Sequence, residues 1–247
     1  MTALMRRVAA AMLVFAGMSG PGIANAQDEA ARPASLSNAE IEALYWARQD
    51  SARMRFTEAD VAFVTGMISH HAQALIMSEL APSHGASPSV ETLAARIINA
   101  QQDEIALMQR WLADRGQPVP GVKIDGLKLT IEMGAPAGEA GQDTHMAHGA
   151  DAAHEHHMPG MLTQDQLEEL AGAFGPEFDR LFLTYMIGHH AGAVTMVDDL
   201  FSVDGAGQDA AVFKLASDVQ VDQITEIERM TQMLDAMAEP TGSDSGR

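Results

Sequence analysis

A repeated segment constrains the fold of this 247-residue chain more than any other feature of its sequence. Residues 63–77 and 182–196 align without a gap, and both copies carry Phe, Met, His-His, Ala and Met at matching positions. A second match follows, because residues 93–112 align with residues 215–234. Each copy therefore predicts a hairpin of two helices. Since one hairpin cannot bury its apolar stripe alone, we expect the two copies to close into a four-helix bundle.

Apolar periodicity and helix-stop residues predict six helices and an all-α fold. Pro82 and Gly85, for example, end the second helix. The repeats are predicted at residues 39–117 and 161–238, and a short strand or turn is allowed around residues 122–131. The predicted helices span residues 39–54, 57–80, 89–112, 163–173, 176–201 and 209–237.

Residues 1–26 have the pattern of a secretory signal peptide. Basic residues precede an apolar run from Val8 to Met18, and small residues lead to a predicted cleavage after Ala26. No later segment approaches the ~18 uninterrupted apolar residues of a membrane span. We therefore expect a periplasmic or secreted protein with no stable membrane insertion after cleavage. A flexible leader is predicted at residues 27–38 and a disordered tail at residues 239–247.

Composition restricts the partners and the ligand chemistry. The 34 acidic and 15 basic residues give a formal charge of −19, which disfavours binding to phosphate backbones. Nucleic acid is therefore not an expected partner. The chain has no Cys, so disulfides and thiolate ligands are absent and any soft metal ligand must be Met.

The histidines of each repeat lie on the helix face that should turn inward. With about 100° per residue, Met67, His70, His71 and Met77 fall within an arc of roughly 120°. The equivalent residues of the second copy are Met186, His189, His190 and Met196. Imidazoles and thioethers in this pattern indicate a transition-metal site, with copper as Cu(I) the first choice and other transition metals as alternatives.

Polar residues on the second helix of each hairpin are also directed at the core. Glu104 and Glu226 lie on the apolar stripes, beside Gln101 and Gln223. The same stripes carry two more candidate ligands, Met108 and Met230. Because an unpaired buried carboxylate is costly, we expect Glu104 to face the first histidine pair and Glu226 the second, directly or across the repeat interface. Either carboxylate could be a metal ligand or an acceptor that fixes the imidazole tautomer.

Residues 118–160 predict a long connector rich in Gly, Ala, Asp, Met and His. Its histidines and methionines, together with those just after it, form a second set of candidate copper ligands. Zinc or nickel would account for the histidines but not for the methionines. A solvated linker with incidental metal affinity is the alternative interpretation. The candidates are His145, Met146, His148, His154, His156, His157, Met158 and Met161.

These motifs together resemble the domain-of-unknown-function family 305 over residues 59–237. The resemblance rests on the two double-histidine segments, the Gln-x-x-Glu-Ile-x-x-Met helices and the Met-Pro-Gly-Met sequence at residues 158–161. It implies a ferritin-like four-helix bundle, an exported location, and copper binding or copper tolerance. The positions that correspond to the family's motifs are the helical candidate ligands named above, together with Gln101 and Gln223. The first copy departs from the family at Ser69 and Ala72-Gln73, none of which is a candidate ligand.

Three functions remain open at this stage. The leading hypothesis is a non-catalytic periplasmic protein that sequesters Cu(I) or exchanges it with another periplasmic copper protein. A ferritin-like metal-dependent oxidase is less well supported, because no Glu-x-x-His occurs on the predicted bundle helices. The third hypothesis is an interaction module whose buried histidines respond to pH. Methionine at helical spacing is ordinarily core filler, which is the alternative interpretation of the helical methionines. A homo-oligomer is compatible with each of the three hypotheses.

Overall fold

The computed structural model describes residues 36–53, 55–134 and 158–238 of the chain. The predicted signal peptide, residues 27–35 and the tail lie outside these ranges. A 3-10 turn at Ala81–Ser83 joins the second helix to the third. The elements are α1 (Asn38–Arg53), α2 (Glu58–Glu79), α3 (Pro88–Asp114), β1 (Pro120–Asp125), β2 (Lys128–Met133), α4 (Gln164–Gly172), α5 (Pro176–Ser202) and α6 (Ala210–Ala238).

The protein is mainly helical, and each predicted helix is present within two residues of its expected bounds. Helices α2 to α6 belong to a compact unit that begins at Leu44. Helix α1 begins at Asn38, before that residue. Helix α1 exposes Ile41, Tyr45 and Trp46. Among the described helices, none combines the length and the apolar character that a bilayer span requires.

A small antiparallel sheet is the main departure from the all-α prediction. Strand β1 pairs with β2 so that Pro120 lies opposite Met133 and Asp125 opposite Lys128. Half-buried Val122 and Ile124 alternate with exposed side chains along β1, the pattern of a strand with one face on a core. The hairpin packs on α2. Part of the predicted connector therefore belongs to the folded unit.

The two repeats form two helical hairpins joined by their histidine-bearing helices. Helix α2 packs along α3, α5 packs along α6, and α2 packs against α5. One apolar cluster contains Phe178 and Phe182, and a second contains Phe63 and Trp111. Fully burying each such side chain stabilises the fold by about 1.5–3 kcal/mol, so these clusters dominate the packing.

The histidines lie where one apolar cluster gives way to the other. Along α5, Met186 belongs to the first cluster and Ala193 to the second. Helix α2 has the opposite order, because Met67 belongs to the second cluster and Met77 to the first. The polar residues between them are thus enclosed by apolar packing at both ends.

Candidate metal centre

Four buried histidines, two from each repeat, meet where α2 packs against α5. His70, His71, His189 and His190 have no exposed surface. The rings of His70 and His189 face each other across the interface, with centroids 3.8 Å apart and planes inclined by 37°. Ring centroids of sequence neighbours are 6.4 Å apart in the first pair and 6.2 Å apart in the second. The two repeats therefore contribute to one group, here called the histidine cluster.

Each repeat pairs one of its histidines with its own carboxylate. Nε2 of His71 lies 2.6 Å from Oε2 of Glu104, and Nε2 of His190 lies 2.6 Å from Oε2 of Glu226. A carboxylate accepts, so the Nε2–H of each ring donates, and in the neutral imidazole Nδ1 then carries the lone pair. The glutamate side chains are 18% and 23% exposed and link the cluster to the surface. The expected pairing is present within each copy rather than across the repeat interface.

A backbone carbonyl fixes the third ring. Nε2 of His70 lies 3.0 Å from the carbonyl oxygen of Pro159, which can only accept. The Nδ1 atom of His70 therefore also keeps its lone pair. Pro159 belongs to residues 158–162, here called the strap, which crosses over the histidine cluster where α2 meets α5.

The strap is held by two close interactions. The Gln73 amide donates to the Leu162 carbonyl at 3.0 Å and accepts from the Leu162 N–H at 2.7 Å. A Cβ atom on Gly192 would lie 1.9 Å from the Pro159 carbonyl oxygen, so only glycine allows this approach. Sequence reasoning missed Gln73 and Pro159 as positioning residues. The available signal for Gln73 was its place three residues after His70, on the same helix face.

Five ring nitrogens of the histidine cluster have no hydrogen-bond partner among the described residues. Both amide atoms of Gln101 and the Oε1 atom of Gln223 are likewise buried without a partner there. An unsatisfied buried polar atom costs about 1–3 kcal/mol, so the group suits a ligand that would use these lone pairs. The five nitrogens are Nδ1 of His70, His71 and His190 and both ring nitrogens of His189.

Burial keeps the central rings neutral. It lowers the pKa of His70 to about 3, with repulsion from His71 and His190 adding to the effect and the Pro159 bond opposing it. Burial, followed by repulsion from His70, holds the pKa of His189 well below its ordinary range. Since metal coordination requires neutral imidazole, both rings are in the competent protonation state at neutral pH.

An acidic surface overlies the carboxylate side of the cluster. Burial raises the pKa of Asp222, and repulsion from Glu104 and Glu226 raises it further. The carboxylates of α3 and α6 therefore lie close enough to influence one another. Such a surface raises the local concentration of cations next to the His71 and His190 pairs.

Exposure divides the candidate methionines into two groups. The three at or beside the strap, Met158, Met161 and Met196, are half-buried. The other helical candidates are fully buried in the apolar clusters, as core methionines would be. These are Met67, Met77, Met108, Met186 and Met230.

The histidine cluster is not a preformed metal site with three or more His, Asp or Glu ligands. Within residues 36–53, 55–134 and 158–238, no three His, Asp or Glu side chains are arranged so that they could hold a metal ion. The connector candidates lie outside the described residues. They are His145, Met146, His148, His154, His156 and His157.

Comparisons with known proteins point to one family. The family model described as Domain of unknown function (DUF305) matches residues 60–234. A DUF305 fragment from Deinococcus radiodurans is 26% identical, with a TM-score of 0.54, over 73% of this chain and 98% of that chain. A DUF305 protein from Streptomyces coelicolor is 23% identical, with a TM-score of 0.54, over 75% of this chain and 97% of its own.

A structure of CopM in the Cu(I)-bound form is also similar. It is 26% identical over 73% of this chain and 98% of that chain. Its TM-score is 0.49. A comparison with curated proteins found no match.

Proposed function

We propose that this chain, which belongs to the DUF305 family of domains of unknown function, is an exported copper-binding protein whose histidine cluster holds Cu(I). One observation carries the proposal: four fully buried histidines from two repeats converge with five ring nitrogens unpartnered among the described residues. A purely structural polar core would pair these atoms, since each unpaired one is costly. A soft metal ion would use their lone pairs instead.

The surrounding residues favour copper over other metals that imidazole binds. Met67 and Met186 stand three residues before His70 and His189 on the same helices and are fully buried. Thioether sulfur favours Cu(I), whereas zinc and nickel gain little from it. The chain has no thiol to compete for a soft ion.

The protein's own groups supply binding rather than catalysis. Burial keeps His70 and His189 neutral, so their lone pairs remain available at neutral pH. Glu104 and Glu226 accept from Nε2–H and thereby orient the rings that carry free Nδ1 atoms. The strap covers the cluster and limits access of water. These features suit a protein that sequesters copper or exchanges it with another copper protein.

The finer structural and cellular assignments belong to the same proposal. We infer that α2, α3, α5 and α6 form a ferritin-like four-helix bundle, supported by the packing of α2 with α3, α5 with α6 and α2 with α5. Residues 1–26 are proposed as a signal peptide cleaved after Ala26, which would place the mature protein in the periplasm. The limits of the two repeats, residues 39–117 and 161–238, are proposed with it.

Anaerobic competition titration with a Cu(I) chelator tests the proposal on the mature protein. We expect the His70→Ala/His189→Ala variant to bind Cu(I) at least about 100-fold more weakly, because even the outer partners of metal ligands are worth 10–100-fold. His84→Ala is the matched control, because His84 lies outside the cluster and bonds the Leu80 and Ala171 carbonyls. Far-UV circular dichroism establishes that each variant is folded.

A second variant locates the metal within the chain. Deletion of residues 141–157 removes the connector histidines and leaves the strap intact, so we expect it to retain the tightest Cu(I) site. If the deletion abolishes binding while the folded histidine variant binds like wild type, the cluster is structural and the proposal is wrong.

A further inference from the structure

Two methionine side chains converge over a glycine outside the histidine cluster. A Cβ atom on Gly66 of α2 would lie 3.5 Å from Sδ of Met158 in the strap and 3.3 Å from Cε of Met196 in α5. Met158 and Met196 are half-buried. They also line one cavity of about 790 Å³ beside α2. Their side chains are therefore partly accessible, in contrast to those of the fully buried methionines.

The internal repeat shows that this arrangement is specific to one side of the molecule. Met196 aligns with Met77, and Gly66 aligns with Tyr185. Met77 is fully buried in the first apolar cluster, against which the Tyr185 ring packs. On the other side, glycine replaces the ring and leaves room for Met158. Duplication of a packing pattern would have produced two equivalent sides.

The glycine is unfavourable for the helix that contains it. Gly66 lies in the interior of α2, where glycine destabilises a helix by roughly 0.5–1 kcal/mol relative to alanine. A longer side chain at this position would crowd both methionines, because a Cβ atom would already contact Sδ of Met158 and the Cε methyl of Met196. Glycine at this position therefore lowers the stability of α2 at the point where the side chains of Met158 and Met196 approach the helix.

The lining of the cavity suits a soft cation. Phe56 and Val61 contribute apolar surface, and Glu58 contributes a carboxylate that attracts positive charge. Thioethers are poor ligands for hard cations and good ligands for Cu(I).

We propose that Met158 and Met196 form a second, accessible site for a soft monovalent cation, Cu(I), here called the thioether site. It is separate from the histidine cluster, because neighbouring strap residues contact different groups: Met158 contacts Gly66, while the next residue, Pro159, bonds His70. The thioether site adds to the proposed function and does not depend on binding at the cluster.

Methionine oxidation with Ag(I) present tests this site directly. Ag(I) serves as a soft monovalent probe that does not react with the oxidant. We expect Ag(I) to slow oxidation of Met158 and Met196 by hydrogen peroxide at least about fivefold, because a sulfur that donates one lone pair to the ion attacks peroxide less readily with the other. Met237, which is 41% exposed on α6, is the internal reference and should oxidise at an unchanged rate. Peptide mass spectrometry measures each site.

Variants separate this inference from the proposed function. Met158→Leu/Met196→Leu should bind one equivalent of Cu(I) less than wild type, whereas Met77→Leu, at the buried repeat counterpart, should bind as many. Leucine conserves apolar volume, so the fold should persist. The His70→Ala/His189→Ala variant should retain Ag(I) protection of both methionines. Equal oxidation rates with and without Ag(I), or loss of protection in the histidine variant, would overturn a separate thioether site.

Discussion

Acidification of the metal-free protein from pH 7 to pH 5 is expected to lower its free energy of unfolding by about 4 kcal/mol through two histidines. The folded-state pKa is about 3 for His70 and well below 6.5 for His189. Below pH 6.5 the unfolded chain therefore binds protons that the folded chain does not. Stability falls as pH falls, by roughly 1 kcal/mol per pH unit for each histidine, and the dependence vanishes above that pH.

Urea unfolding between pH 5 and pH 8 measures this dependence. The matched control is His70→Gln/His189→Gln, which keeps polar side chains of similar size but cannot take up the protons. Its stability should vary with pH much less than that of wild type. Equal slopes for the two proteins would show that the buried rings are not the source.

The same pH dependence would be found in an interaction module that only senses pH. The effect of added Cu(I) on stability distinguishes that module from a copper-binding protein. A metal-binding cluster gains stability with added Cu(I) at pH 7, because a ligand that binds only the folded state shifts the unfolding equilibrium. This gain should persist down to pH 5, because burial keeps the His70 and His189 rings neutral in the folded protein at that pH. A pH sensor without metal would show no such gain.

Replacement of Gly192 by alanine is expected to detach the strap and to destabilise the protein by about 2–4 kcal/mol. The new Cβ would lie 1.9 Å from the carbonyl oxygen of Pro159 and 2.7 Å from Cα of Gly160. Both are backbone atoms, so no change of side-chain rotamer relieves the overlap. If the strap moves away, His70 loses its bond to Pro159 and Gln73 loses its bonds to Leu162.

Gly188 provides a control in the same helix. A Cβ atom on Gly188 meets nothing within 4 Å, so Gly188→Ala should instead stabilise α5 by roughly 0.5–1 kcal/mol. The two substitutions are chemically identical and are expected to have opposite signs. Urea unfolding gives the free energies, and limited proteolysis reports whether the strap is released. Equal stability of the two variants would contradict the tight crossing.

The helices and one part of the site could be predicted from the sequence. Apolar periodicity and capping residues such as Thr57, which begins α2 with a capping box, are local signals. The cost of burying Glu104 and Glu226 unpaired required them to face histidines, and each lies 2.6 Å from one. Both predictions depend on residues that are close in the sequence or within one hairpin.

The rest depends on how the two hairpins pack, which has no local signature. The contact of His70 with His189 is set by the register of α2 against α5. Pro159 acts through its carbonyl, a group that every residue carries. Met77 and Met196 occupy equivalent positions in the helical pattern of the two repeats. Their exposure nevertheless differs, because Met77 lies in the cluster against which Tyr185 packs, whereas Met196 lies beside Gly66, the residue that aligns with Tyr185. The β1–β2 hairpin was underestimated because its alternation of half-buried and exposed residues is short.

The strap follows the connector and precedes the second hairpin in the chain, yet it is bonded to His70 and Gln73 of the first. Neither hairpin can therefore enclose its own histidines before the two have docked. Enclosure of the cluster and completion of the apolar core become one cooperative event. We therefore expect that, if the chain is cut between the two hairpins, the histidine cluster becomes buried only when both fragments are mixed.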